Sequence, residues 1–213
     1  MSQHPTAVRV VDHPLLQHHL GQLRAESTSP AEFRSLVNRV AMLLGAAATE
    51  SLTTEETTVT TPVATANVQE LNQRIGLVPI LRAGLGLVDP LIELIPSAEV
   101  WHLGLFRDEA TAEPVEYYRK LPETDPVDIA LVVDPMLATG GSATLALDVL
   151  RQWGVPIVKL VVLIAAPEGI AAVQEQFPDV EIIVGAIDER LNEKKYIVPG
   201  LGDAGDRLFN TLR

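Results

Sequence analysis

Cysteine is absent from all 213 residues, so no disulfide framework ties this chain together, which fits a reducing cytoplasm. Positive charge is scarce as well: 16 Lys and Arg stand against 28 Asp and Glu, a formal net charge of −12. Extended contact with nucleic acid or an anionic membrane needs clustered basic side chains, so neither is an expected partner. An anionic small molecule would have to be held by local arginines and backbone dipoles. No apolar run approaches the length of a membrane span. The opening MSQHPTAVRVVDHP has no basic segment followed by an apolar core, so no signal peptide is expected. Low-complexity linkers and internal repeats are missing too. What the chain has is apolar side chain: 47% hydrophobic content is ample for the core of one large or two small domains.

The most informative stretch is residues 131–148, LVVDPMLATGGSATLALD. Ile129 to Val133 form a continuous apolar run, the pattern of a central strand buried on both faces. Asp134 marks its expected end, small residues follow through Ser142, and a helical pattern takes over at Ala143, Leu145, Leu147, Val149 and Leu150. Residues 138–142 add little bulk, and Gly140 and Gly141 permit positive φ, so a ligand can approach the backbone closely. The helix aims its free N–H groups at the loop, which favours a phosphate. A carboxylate at the strand end is placed to accept hydrogen bonds from sugar hydroxyls beside it. The loop lacks both the Lys of GxxxxGK[ST] and the GxGxxG spacing.

Around this unit the chain alternates strands and helices, which predicts a mainly parallel, doubly wound α/β sheet. Ser29, Pro30 and Glu32 open a long amphipathic helix to about residue 52, with Ser29 as cap. Its broad apolar side suits a second subunit as well as its own core. The Thr-rich residues 53–65 read as an edge or hairpin outside the main sheet. Residues 75–81 are a buried strand, and Arg82 to Gly86 turn into a helix; burying Arg82 without an anion would be costly, whereas a guanidinium matches a pyrophosphate. Residues 100–106 are a further strand, and residues 107–122, polar and carrying two prolines, read as a hairpin or flap opened by Arg107. Strands at 157–166 and 180–187 complete the set, with a turn at Pro167, Glu168 and Gly169 explained by turn chemistry alone. His13, His18 and His19 have solvent or packing roles. Residues 196–206, YIVPGLGDAGD, hold three glycines and a proline, an irregular loop with exposed backbone suited to a small planar ligand.

The strand, acid and TGGS turn resemble the ribose-phosphate signature of type I phosphoribosyltransferases. Many members carry two adjacent acids where this chain has Asp134 and Pro135. Taken with VPILRAGLG, Arg107 and the late glycine loop, the chain resembles the uracil phosphoribosyltransferases from about His13 to the C-terminus. The resemblance implies one domain over residues 1–213, with a phosphate-binding core at about 70–187. Residues 188–213, with N-terminal contributions, would form a small hood over the base, and the hairpin a flap. It implies that Arg82, Arg107, Asp134, Pro135, Met136, Leu137, Ala138, Thr139, Gly140, Gly141, Ser142 and Asp203 bind phosphoribosyl pyrophosphate (PRPP). Ile197, Gly202, Asp203 and Ala204 would line the uracil site, chiefly through main-chain atoms. Catalytic parts fall to Arg82, Arg107, Asp134 and Asp203.

The same resemblance implies transfer of the phosphoribosyl group to N1 of uracil, giving UMP and pyrophosphate. Mg²⁺ would arrive on PRPP, with no metal ligand from the protein. The acceptor of the N1 proton stays open among solvent, pyrophosphate and Asp203. A homo-oligomer, dimer or tetramer, is implied, and GTP, an activator of some relatives, is a candidate effector. One departure is Ala110, where many relatives have an acid. Two rivals remain: a transferase for another base, against which the lack of an aromatic stacking platform speaks, and a PRPP-sensing regulator that binds RNA, against which the acidic composition speaks.

Overall fold

The computed structural model describes residues 8–107, 114–119, 121–122 and 124–211. Its elements are β1 (Val8–Val10), α1 (Pro14–Arg24), α2 (Pro30–Thr49), β2 (Thr54–Thr60), β3 (Thr65–Leu71), β4 (Ile75–Leu81), a 3₁₀ turn (Ala83–Leu87) running into α3 (Val88–Leu94), β5 (Glu99–Val100), β6 (Leu103–Arg107), β7 (Pro114–Arg119), β8 (Ile129–Leu137), α4 (Gly141–Trp153), β9 (Ile157–Ala165), α5 (Pro167–Gln176), β10 (Glu181–Ile187), β11 (Arg190–Leu191), β12 (Ile197–Val198) and α6 (Ala204–Phe209). The main sheet runs β1-β10-β9-β8-β4-β6-β7, with β5 also paired to β4. Every pairing in it is parallel except β6 with β7.

The expected doubly wound architecture is what forms, and its strands alternate as buried strands must. Ile129, Leu131 and Val133 of β8 face one apolar cluster with α1, α2 and α6; Ala130 and Val132 face another with α4 and α5. Burial on both faces explains why the strands read as unbroken apolar runs. Among the described residues no helix is long and apolar enough to cross a membrane.

Three boundaries differ from the sequence expectation. The strand β8 does not end at Asp134 but continues to Leu137, because β9 keeps pairing with it through Leu137–Ala165. The ladder to β4 ends at Pro79–Val133, so Pro135 falls where no neighbour on that side asks for its missing N–H. The run at 100–106 is two pieces in one register along β4, Gly76–Leu77 pairing with β5 and Ile80–Leu81 with β6. Between them β4 carries Pro79, which offers no N–H to the interrupted positions. The long helix α2 stops at Thr49 rather than near 52; Ser29 caps its start, accepting from the Glu32 N–H at 3.3 Å.

The Thr-rich segment pairs with β3 as an antiparallel hairpin separate from the main sheet, as its polarity suggested. His13 caps α1, its ring nitrogen accepting from the Leu15 N–H.

Candidate active site at the carboxyl edge of the sheet

At the carboxyl end of β8 the chain has no room for side chains. Gly140 sits at φ +87° as the N-cap of α4, and a Cβ there would lie 2.9 Å from the Ala172 Cβ and 3.0 Å from the Gly169 carbonyl oxygen. Gly169, assigned to turn chemistry from the sequence, is in fact closer still: its Cβ would lie 2.5 Å from the Ala138 oxygen and 2.8 Å from that of Leu137. The start of α5 is therefore pressed against the loop and fixes its path. Asp134 and Met136 to Ala143 line a cleft of about 80 Å³, into which the first N–H groups of α4, free of intrahelical partners, bring a positive dipole end.

A Cβ on Gly140 meets backbone from another element, so the cost of a side chain there is not local to the turn. Gly140→Ala should lower folding stability by roughly 1–3 kcal/mol through strain and overpacking. The urea midpoint reads this directly; an unchanged midpoint would show that the loop can move away from α5.

Asp134 is half-buried in this cleft. Burial pushes its carboxyl up to about 7; the nearby Asp203 carboxylate adds to the rise, while the Met136 N–H partly opposes it. A raised carboxyl prefers the protonated form in the fold, so stability falls as pH rises from about 4 to about 7 and levels off above. Asp134→Asn removes that penalty. At pH 8 the variant should be more stable than the parent by up to about 4 kcal/mol, with the gap closing toward pH 4. Thermal unfolding across that range checks it; a gap that widens toward acid would reverse the sign and refute the shift.

Asp203 reaches Asp134 because α6 is folded back over the sheet edge. It is the N-cap of α6, accepting from the Asp206 N–H at 2.9 Å. The turn after β4 lies beneath: a Cβ on Gly84 would be 2.5 Å from the Val133 oxygen, and Gly205 approaches Ala83. Arg82 opens this turn after a cis peptide bond from Leu81. Its side chain is 63% exposed, and its guanidinium stands 4.0 Å from Asp206. The strand-end position turns the side chain outward over the site edge instead of into the core. Arg107 ends β6, but its side chain, like Ala110 and the rest of 108–113, lies outside the described residues.

The glycine loop is ordered by tertiary contacts. Val198–Pro199 is cis, and Gly200 and Gly202 have φ +65° and +78°. Arg24 and Asp188, neither singled out in the sequence, grip Gly200 from both sides: Arg24 donates to its carbonyl at 2.8 Å, and Asp188 accepts its N–H at 2.8 Å. Arg207 donates to the carbonyls of Leu23, Ala25 and Leu201 and lies over the Phe33 ring. Asp188 carried a readable signal, an acid just after an apolar strand, the same that marked Asp134. Arg24 carried none. Among the described residues no group of three or more His, Asp or Glu side chains is placed to hold a metal ion.

The structure thus brings Asp134, residues 136–142, Arg82, Asp203 and the 197–204 loop to one edge of the sheet. Comparison with known proteins shows which family has this sequence and fold. The chain is 55% identical over 204 residues to a uracil phosphoribosyltransferase of Roseiflexus sp. RS-1, covering 96% of this chain and 98% of the relative. It is 55% identical over 205 residues to one of Symbiobacterium thermophilum, with the same coverage. A solved structure from Aquifex aeolicus superposes with a TM-score of 0.91 at 41% identity, covering 95% of this chain and 98% of that one. An adenine phosphoribosyltransferase of Leishmania donovani, at 12% identity and TM-score 0.57 over 92% and 89% of the two chains, shares the fold alone. The family model described as uracil phosphoribosyltransferase matches residues 10–211, and the chain belongs to that family.

Proposed function

We propose that this chain transfers the phosphoribosyl group of PRPP to N1 of uracil, giving UMP and pyrophosphate, a pentosyl transfer of pyrimidine salvage. The observation that carries this reading is the meeting of a small-residue loop with a glycine-rich hood at one sheet edge, packed together through the turn at Ala83 and Gly84. In this reading the 5′-phosphate lies against residues 137–142 and the N-terminus of α4. Asp134 receives the ribose hydroxyls. Ile197, Gly202 and Ala204 read the base through main-chain atoms.

Displacement at C1′ builds positive charge on the ribose and negative charge on the departing pyrophosphate. The protein needs no nucleophile of its own; orienting two reactants and stabilising the leaving charge suffices. Arg82 and Arg107 take that charge. Mg²⁺ arriving with PRPP would supply further neutralisation, and the oxygen acceptors of Asp134 and Asp203 at this edge suit the neighbourhood of a cation. Assembly into a homo-oligomer belongs to the proposal, supported by a β2–β3 hairpin that stands off the main sheet with Val63 94% exposed. GTP activation rests on the family resemblance, and adding GTP to the assay tests it. The decisive experiment is incubation with uracil, PRPP and Mg²⁺, following UMP and pyrophosphate in equal amounts. No UMP would end this reading.

A further inference from the structure

We infer that Arg24 and Asp188 are positioning residues that set the height of the base-reading loop above the phosphate loop, and so govern base affinity and base choice. The inference rests on the function proposed above. Asp188 is almost fully buried, with 4% of its side chain exposed, and it receives both guanidinium nitrogens of Arg24 at 2.8 and 2.6 Å. The same two residues hold both polar groups of the Gly200 peptide, its N–H by Asp188 and its carbonyl by Arg24. Gly200 leaves no room for a side chain within its own turn, since a Cβ there would lie 2.2 Å from the Ile197 oxygen. Arg24 belongs to α1, and Asp188 follows β10, so the pair joins three distant parts of the chain.

The other end of this link reaches the phosphate loop. The Asp188 N–H donates to the Ala165 oxygen at 2.8 Å. Ala165 pairs with Leu137, and the Ala166 N–H donates to the Leu137 oxygen at 2.9 Å. Leu137 is the last residue of β8 before the loop. From Leu137 to Gly200 there is thus a continuous path of main-chain bonds and one buried carboxylate. Geometry held by such a path sets how the base meets C1′, and small misplacements are costly there. With the 5′-phosphate at residues 137–142, as proposed above, its contacts fall at the Leu137 end of the path and the base contacts at the Gly200 end.

The test measures KM for each substrate, and the uracil-to-cytosine ratio, in Asp188→Asn, Arg24→Gln and Arg24→Lys. The first two should raise the uracil KM roughly tenfold or more and lower the discrimination against cytosine, with the PRPP KM within about twofold of the parent. Lysine keeps the charge but not the fork that spans Asp188 and Gly200, so Arg24→Lys should fall between. A parallel rise in both KM values, an unchanged base ratio, or failure of both Asp188→Asn and Arg24→Gln to bind PRPP in calorimetry would overturn the inference and leave the pair a stability element. A parent enzyme that makes no UMP would instead refute the proposed function, so the two failures read differently.

Discussion

Cytosine should be used about 10⁴-fold less efficiently than uracil, while 5-fluorouracil should be accepted as a substrate. Cytosine carries an amino group in place of the C4 carbonyl and lacks the N3 proton. Donor then faces donor and acceptor faces acceptor at the edge the hood reads. Such a mismatch leaves polar groups unpaired in a closed site, which costs far more than a change of one methylene. The structure sharpens which groups remain for the base. The Gly200 N–H and carbonyl and the Leu201 carbonyl are already engaged by Asp188, Arg24 and Arg207. In the proposed reading the base is then left to Ile197, Gly202 and Ala204, next to the backbone these contacts hold. A fluorine at C5 leaves the whole edge intact. Nucleotide formation from PRPP with each base in turn, Mg²⁺ present, decides the matter. Comparable kcat/KM for cytosine and uracil would sink edge reading, and a preference for hypoxanthine would sink the proposed substrate.

Replacing Arg82 with alanine should lower kcat/KM by roughly 10²-fold or more, the scale of losing one strong donor to a developing anion. Its folding stability should stay within about 0.5 kcal/mol of the parent. That second expectation follows from exposure: most of the side chain lies in solvent, and its ion pair with Asp206, at 4.0 Å and exposed, contributes little. An arginine so exposed at the mouth of the site, with one weak ion pair among the described residues, has its value in what it meets there. Steady-state kinetics and a melting curve on one preparation test both halves. Near-parental kinetics for PRPP would remove Arg82 from the mechanism, and a large drop in melting temperature would give it a structural role instead.

The elements of this fold were legible because their signals are local. Two-sided burial writes itself as the runs at 75–81, 129–133 and 157–165, and the need for close backbone approach writes itself as Gly140. Ser29, Pro30 and Glu32 announced α2 for the same reason: a cap acts within one turn. Even the hood was visible as three glycines and a proline in 196–206. What the tertiary structure alone decided depends on residues far apart in the chain. The length of β8 beyond Asp134 came from continued pairing with β9, which no propensity at Pro135 reveals. The exposure of Arg82 came from the direction of its turn between β8 and α6. Asp134 gained its raised carboxyl from burial and from Asp203, 69 positions later in the numbering. Arg24 grips Asp188 across 164 positions and Gly200 across 176, and nothing near Arg24 hints at either. Propensity and pattern act over a few residues, so they specify strands, turns and caps; electrostatic environment and loop height are properties of neighbours in space, and only the folded chain supplies those.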